Sequence, residues 1–230
     1  MDDRAQTSVA ARIPGAAALG LIPPPGAPTL PATYLAQPDS VTRLIAARAR
    51  TVDRVTATVW WYSASLVLLM PTLAGLVTGV PLSGRLADTS LAFRSDGLPV
   101  AAVSAAGTGD VAGELRESLG AVIAAVAAAG QLRERPLWAI ATDSIANQLL
   151  ALGRALGDVP AATSHAGPLA AAVGPLLPMP RYVDVAGACF TQRASCCLVV
   201  ELPGGSLCTS CPRRAPAERL ALLEQAARWF

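Results

Sequence analysis

Near the C-terminal end of the chain two cysteines stand side by side, Cys196-Cys197, and after ten residues a Cys208-Thr-Ser-Cys211-Pro212 run follows. Four thiols so close together constrain the local fold more than any other feature. They must be satisfied jointly, by a metal centre, by disulfides or by burial. A Cys-x-x-Cys pair sets two thiolates on one turn, a geometry that chelates one metal ion. Adjacent cysteines do so less readily, because side chains diverge along an extended backbone. They can still share one site where the strand twists, or serve two metal ions of one cluster. The turn at Pro203-Gly204-Gly205 lets the two halves fold back together. An all-cysteine set of this kind suits a [2Fe–2S] or [4Fe–4S] centre. A structural zinc site could use the same residues, although zinc modules usually carry two spaced cysteine pairs.

The rest of the composition narrows the setting. The 230 residues are 53% hydrophobic and 15% charged, ample for a core. All 18 basic residues are arginine and the formal net charge is +2. That balance creates no basic field, so nucleic acid is not an implied partner. The N-terminus lacks the basic region and apolar segment of a secretory signal, and the expected compartment is the cytoplasm. Thiols stay reduced there, which removes the setting for disulfides.

Residues 59–80 form an uncharged apolar stretch of about the length that spans a bilayer. Pro71, the interspersed Ser and Thr residues, and Gly75 and Gly79 favour a buried core helix that ends nearby. A membrane span is the main alternative, and peripheral membrane association a third reading.

Along the chain, residues 1–32 are rich in Ala, Pro and Gly and read as a flexible, disordered tail. A helix with one interruption is expected over 40–70. Two short strands, 89–94 and 98–104, flank an Asp96-Gly97 turn. Helices follow at 111–130, with Asp110 as N-cap and Gly130 as C-cap, and at 136–156, ended by Gly157. Residues 158–168 read as a loop, and 169–173 as at most a short helix. Beyond it, Pro178 and Pro180 keep the chain irregular. Residues 197–202 favour a strand, and a last helix spans 216–229. The fold class is α+β, mainly helical, with a small β element and a compact C-terminal cysteine module. The expected division is a tail at 1–32, a helical domain at 33–185 and a cysteine module at 186–230.

The segment Arg193-Ala-Ser-Cys196-Cys197-Leu198, with Leu202-Pro-Gly-Gly-Ser-Leu-Cys208-Thr-Ser-Cys211-Pro212, resembles the C-terminal module of the FhuF-type siderophore-iron reductases. All four cysteines match that family's spacing. Upstream, Pro136-Leu-Trp138-Ala-Ile-Ala-Thr-Asp143 is similar to its less specific N-terminal part, so the likeness covers roughly 40–229 and is strong over 193–212. The resemblance implies a [2Fe–2S] cluster on Cys196, Cys197, Cys208 and Cys211. It further implies a ferric-siderophore reductase, an oxidoreductase passing one electron to chelated Fe(III) and releasing Fe(II) in the cytoplasm. The implied substrate is a ferric siderophore of hydroxamate type. A ferredoxin-like carrier or an iron–sulfur sensor is the alternative.

No catalytic residue beyond the cluster is expected. Gly107-Thr-Gly109 lacks a third glycine and the strand–helix setting of a dinucleotide fingerprint. Electrons should therefore arrive from a separate ferredoxin or flavoprotein. Arg193, Arg213 and Arg214 flank the ligands, where positive charge favours the reduced, more anionic cluster; the same arginines suit docking of an anionic donor. Cys189, outside the pattern, reads as a buried small hydrophobe. His165 reads as an ordinary loop histidine, and Trp60, Trp61 and Trp138 as core residues.

Overall fold

A computed structural model describes residues 4–229. Three long helices carry the core: α3 (Arg54–Thr78), α4 (Val111–Gly130) and α5 (Glu134–Leu156). They are preceded by α1 (Arg4–Ala10) and α2 (Pro38–Arg48) and followed by α6 (Val159–Ser164), α7 (Ala166–Val173) and α8 (Pro216–Ala227). Strands β1 (Thr29–Pro31), β2 (Thr89–Phe93) and β3 (Pro99–Ser104) form one antiparallel sheet in that order. Strands β4 (Tyr182–Val185) and β5 (Ala188–Thr191) form a separate hairpin. The α+β expectation holds, helix-rich with small β elements.

Helix α3 begins at a capping box. The Asp53 carboxylate accepts the backbone N–H groups of Val55 and Thr56, and the Thr56 hydroxyl accepts from Asp53 N–H. The helix then runs unbroken through Pro71 to an αL cap at Gly79. Pro71 was expected to kink or end it. Gln148 of α5 donates to the Leu66 carbonyl at 2.8 Å, next to the Val67 carbonyl that the proline leaves without its helical N–H. By length and apolarity α3 passes as a membrane span, but 61% of its most apolar window is buried inside the fold. Trp60 and Trp61 are interior as expected, with indole N–H groups donating to Gly97 O and Leu137 O. Trp138 is buried with them. Ser65 of α3 and Ser144 of α5 meet at 2.7 Å in the same core, satisfying each other.

The expected 89–94 and 98–104 strands pair around Asp96-Gly97. Gly130 is helical, and Gln131 takes the αL position instead. The glycine serves close packing: a Cβ there would lie 2.5 Å from the Ala57 Cβ of α3. Four further expectations are corrected. Residues 4–32 are ordered rather than tail-like, because Val9, Ile13, Ala16 and Leu21 bury themselves on the core. The Gln6 side chain also bonds Leu21 O, Ala102 O and Ser104 N. (Residues 1–3 of that segment lie outside the described residues.) The 158–168 loop is occupied by α6 and the start of α7, with His165, half-buried, at their junction. Irregular chain after Pro180 gives way at once to the β4–β5 hairpin. Residues 197–202 are not a strand: Leu198 adopts αL (φ 61°) and Val199–Glu201 is a 3-10 turn.

Candidate metal centre

The cysteine segment is delivered by the β4–β5 hairpin, which is fastened to α5. Tyr182 donates to Ala146 O at 3.2 Å, and Arg154 donates to Cys189 O at 2.8 Å. Cys189 itself is half-buried rather than buried, and burial followed by Asp184 across the hairpin pushes its thiol pKa up. It takes no part in the cysteine group below.

After β5 the chain turns inward at Arg193. Its side chain is 2% exposed and so is that of Asp143, which projects from the middle of α5. The Asp143 carboxylate accepts Ala194 N–H at 2.7 Å and Ser195 N–H at 3.1 Å, and its Oδ2 lies 3.5 Å from Arg193 Nε. Burial pushes the carboxyl upward while those donors pull it back. The guanidinium lies over the Tyr62 ring of α3, 4.5 Å from its centroid. Its Nη1 reaches Cys208 Sγ at 3.3 Å and Cys197 Sγ at 3.7 Å. The Cys197 thiol is drawn down to about 5, first by its contact with Cys208 and against burial, then by Val199 N–H and Arg193. Arg193 was read as flanking the ligands; the structure puts it inside, against two sulfurs.

The αL turn at Leu198 prevents the adjacent cysteines from diverging along a strand. The return path depends on Gly205, where a Cβ would sit 1.9 Å from Val199 O. Cys211 N–H then donates to Cys208 O, closing the Cys-x-x-Cys turn. As a result Cys196 Sγ lies 3.9 Å from Cys211 Sγ, while Cys197 and Cys208 share contact with each other and with Arg193. Cys197 and Cys211 are buried and Cys196 and Cys208 half-exposed. Two thiolates on one tetrahedral metal, with bonds of about 2.3 Å, stand about 3.8 Å apart. Among the described residues no three His, Cys, Asp or Glu side chains converge as a metal-holding group. The sulfurs come as two contacting pairs, Cys196 with Cys211 and Cys197 with Cys208. Among the described residues Arg193 Nη2 is buried without a hydrogen-bond partner, a spare donor beside those sulfurs.

Arg213 and Arg214 differ in role. Arg213 pairs with Glu201 at 2.9 Å, and Glu201 also holds Arg54 at the start of α3 at 2.5 Å. Glu201 raises the Arg213 pKa first, and Cys196 next. Arg214 turns away from the sulfurs, bonding Cys208 O at 2.9 Å, Leu207 O and Glu218. Sequence reasoning assigned no role to Asp143, Tyr62, Arg54 or Glu201. For Asp143 a signal existed, since at helical spacing it shares a face with Ile140, Ala146 and Leu150, where a carboxylate requires a buried partner.

These features define an iron–sulfur module whose cysteines are arranged for a binuclear centre. Residues 193–213 match the family described as the FhuF 2Fe-2S C-terminal domain, so the chain carries a FhuF-type [2Fe–2S] module there. No curated protein matches the chain.

Proposed function

We propose that the chain is a ferric-siderophore reductase of the cytoplasm, with Cys196, Cys197, Cys208 and Cys211 as the cluster ligands. The observation that carries this reading is the pairing of sulfurs within a matched FhuF-type module, buttressed by Arg193. We assign Cys196 and Cys211 to one iron and Cys197 and Cys208 to the other. A bound [2Fe–2S] centre supplies one electron at a time. The substrate, chelated Fe(III), needs only that electron: as Fe(II) it is held far more weakly by hydroxamate oxygens, and no bond of the chelator breaks.

The protein residues hold and tune. Asp143 fixes the loop before Cys196 through two backbone N–H groups and orients the guanidinium of Arg193. Arg193 places positive charge against Cys197 and Cys208, which favours added electron density there. Burial of Cys197 and Cys211 limits water on one side, while the half-exposed Cys196 and Cys208 leave a face open to donor and substrate. The donor is a separate ferredoxin or flavoprotein. The helical domain clamped to the module through Asp143, Tyr62 and Arg54 exceeds what a bare electron carrier needs, which favours the reductase over the carrier.

Anaerobic purification with iron and sulfide analysis should find two irons per chain, as a [2Fe–2S] centre requires. The dithionite-reduced protein should then be reoxidised on mixing with a ferric trihydroxamate. A colourless zinc protein would end the reading; a cluster that no ferric chelate reoxidises would leave only a carrier or sensor.

A further inference from the structure

We infer that the cavity between hairpin β4–β5 and helix α8 receives a negatively charged arm of the ferric chelate, so that the substrate class is anionic chelates; this rests on the reductase reading above.

The cavity holds about 320 Å³ and borders the metal module directly, with Arg193, Ser210 and Pro212 in its wall. Among the described residues its lining includes Arg181, Arg193 and Arg219 and no Asp or Glu. Asp143 offsets the charge of Arg193. Arg181, which is exposed, and Arg219, which is half-exposed, therefore make the cavity net positive. Arg219 is anchored by Nη1 on Cys211 O and Arg214 O, both at 3.4 Å, which steadies it beside the cysteine loop.

A second observation points to a ligand independently. Thr191, 6% exposed, lines the same cavity, and its buried hydroxyl has no hydrogen-bond partner among the described residues. A buried hydroxyl without a partner costs on the order of 1–3 kcal/mol, and an acceptor oxygen entering the cavity would remove that cost. Pro216, at the first turn of α8, also lines it, and that helix start has no side-chain cap. The positive dipole end of that helix favours an anion nearby. Leu220, 48% exposed, adds an apolar wall for methylene linkers.

Charge has a reason to be selected here. A cluster on four thiolates is itself anionic and repels an anionic chelate. Cationic lining beside the cysteines offsets that repulsion locally. The cavity is too small for a whole hexadentate chelate and suits one arm of it, with the iron left outside next to the module.

The test uses one trihydroxamate scaffold with a terminal ammonium, the same terminus acetylated to be neutral, and the same terminus succinylated to carry a carboxylate. The iron ligands are identical in all three. Their gallium(III) complexes, which accept no electron from the cluster, are titrated into the holoprotein by calorimetry. The carboxylate form should bind about fivefold more tightly than the neutral form, and the ammonium form more weakly still. The preference should vanish in Arg181→Gln/Arg219→Gln, and Thr191→Val should weaken carboxylate binding alone. If the double variant loses iron, the exposed Arg181→Gln alone serves and should shrink the preference. Equal binding of the three complexes, or a preference unchanged in the variants, overturns the inference. Reoxidation by the three ferric complexes is read separately: reaction with all at one rate leaves the reductase and removes the charge selection, whereas reaction with none removes the reductase itself.

Discussion

Arg193 is held from three sides, by the Asp143 carboxylate, by the Tyr62 ring and by the sulfurs of Cys197 and Cys208. Despite its burial, those neighbours keep the guanidinium charged. Its N–H groups reach sulfur rather than water, so their effect on the cluster is little screened. Arg193→Ala should lower the cluster midpoint potential by roughly 65–130 mV, the one-electron equivalent of losing one charge-assisted hydrogen bond of about 1.5–3 kcal/mol. A redox titration checks this, and an unchanged potential would remove Arg193 from the tuning of the cluster. The same variant leaves Asp143 buried without its counter-charge and should lose about 3 kcal/mol of stability. Adding Asp143→Asn should recover part of that loss in denaturant unfolding but should not restore the potential.

At the scale of elements, α3 depends on its N-terminal cap. The carboxyl of Asp53 is held below its ordinary value, chiefly by Thr56 N–H, with the Thr56 hydroxyl and Val55 N–H adding to this against slight desolvation. A lowered folded-state pKa stabilises the protein above the unfolded-state value of about 4, and the contribution disappears as pH falls through the folded-state value. Asp53→Ala should therefore cost about 1 kcal/mol at pH 7, and the gap to wild type should narrow as pH falls below the ordinary aspartate range in unfolding experiments. Gly130→Ala should cost about 2 kcal/mol, because its new Cβ must displace α4 from α3 at Ala57. Thermal unfolding reads that directly.

Much of this level was legible in the chain itself. The β2–β3 hairpin, α4 and α5 follow from Asp96-Gly97, Asp110 and Gly157, whose local chemistry settles the structure. Residues 4–32 were not, since their order comes from Val9, Ile13 and Leu21 meeting a core that only tertiary structure supplies. Leu198 was misread for a related reason: its neighbours favour a strand, but closing the cysteine loop requires αL there. The four cysteines stood out in sequence, whereas the Asp143–Arg193 bond joins residues fifty positions apart.

On the scale of the whole molecule, two very unequal bodies of packing share one chain. The helical part has a continuous apolar core running from Val9 to Leu177. Among the described residues, the stretch after β5 buries only Cys197, Cys211 and Leu223 of its apolar side chains. Removing iron with a chelator under reducing conditions should leave the helical signal and its cooperative melt nearly intact. Amide exchange over residues 196–215 should meanwhile accelerate strongly, because apart from turn hydrogen bonds within the stretch those amides have little else to protect them. Equal protection with and without iron would mean that the stretch holds its shape unaided.

The pairing of sulfurs across the turn has one more consequence. Cys196 meets Cys211 and Cys197 meets Cys208, so metal–sulfur bonds would close two nested loops and act as a removable cross-link. By the reasoning that applies to disulfides, a closed loop of about fifteen residues is worth about 3 kcal/mol through the entropy it withholds from the open chain. Iron loss would cut that staple, and the module would become a fuse that opens when the metal runs short, exposing its backbone while the helical body stands.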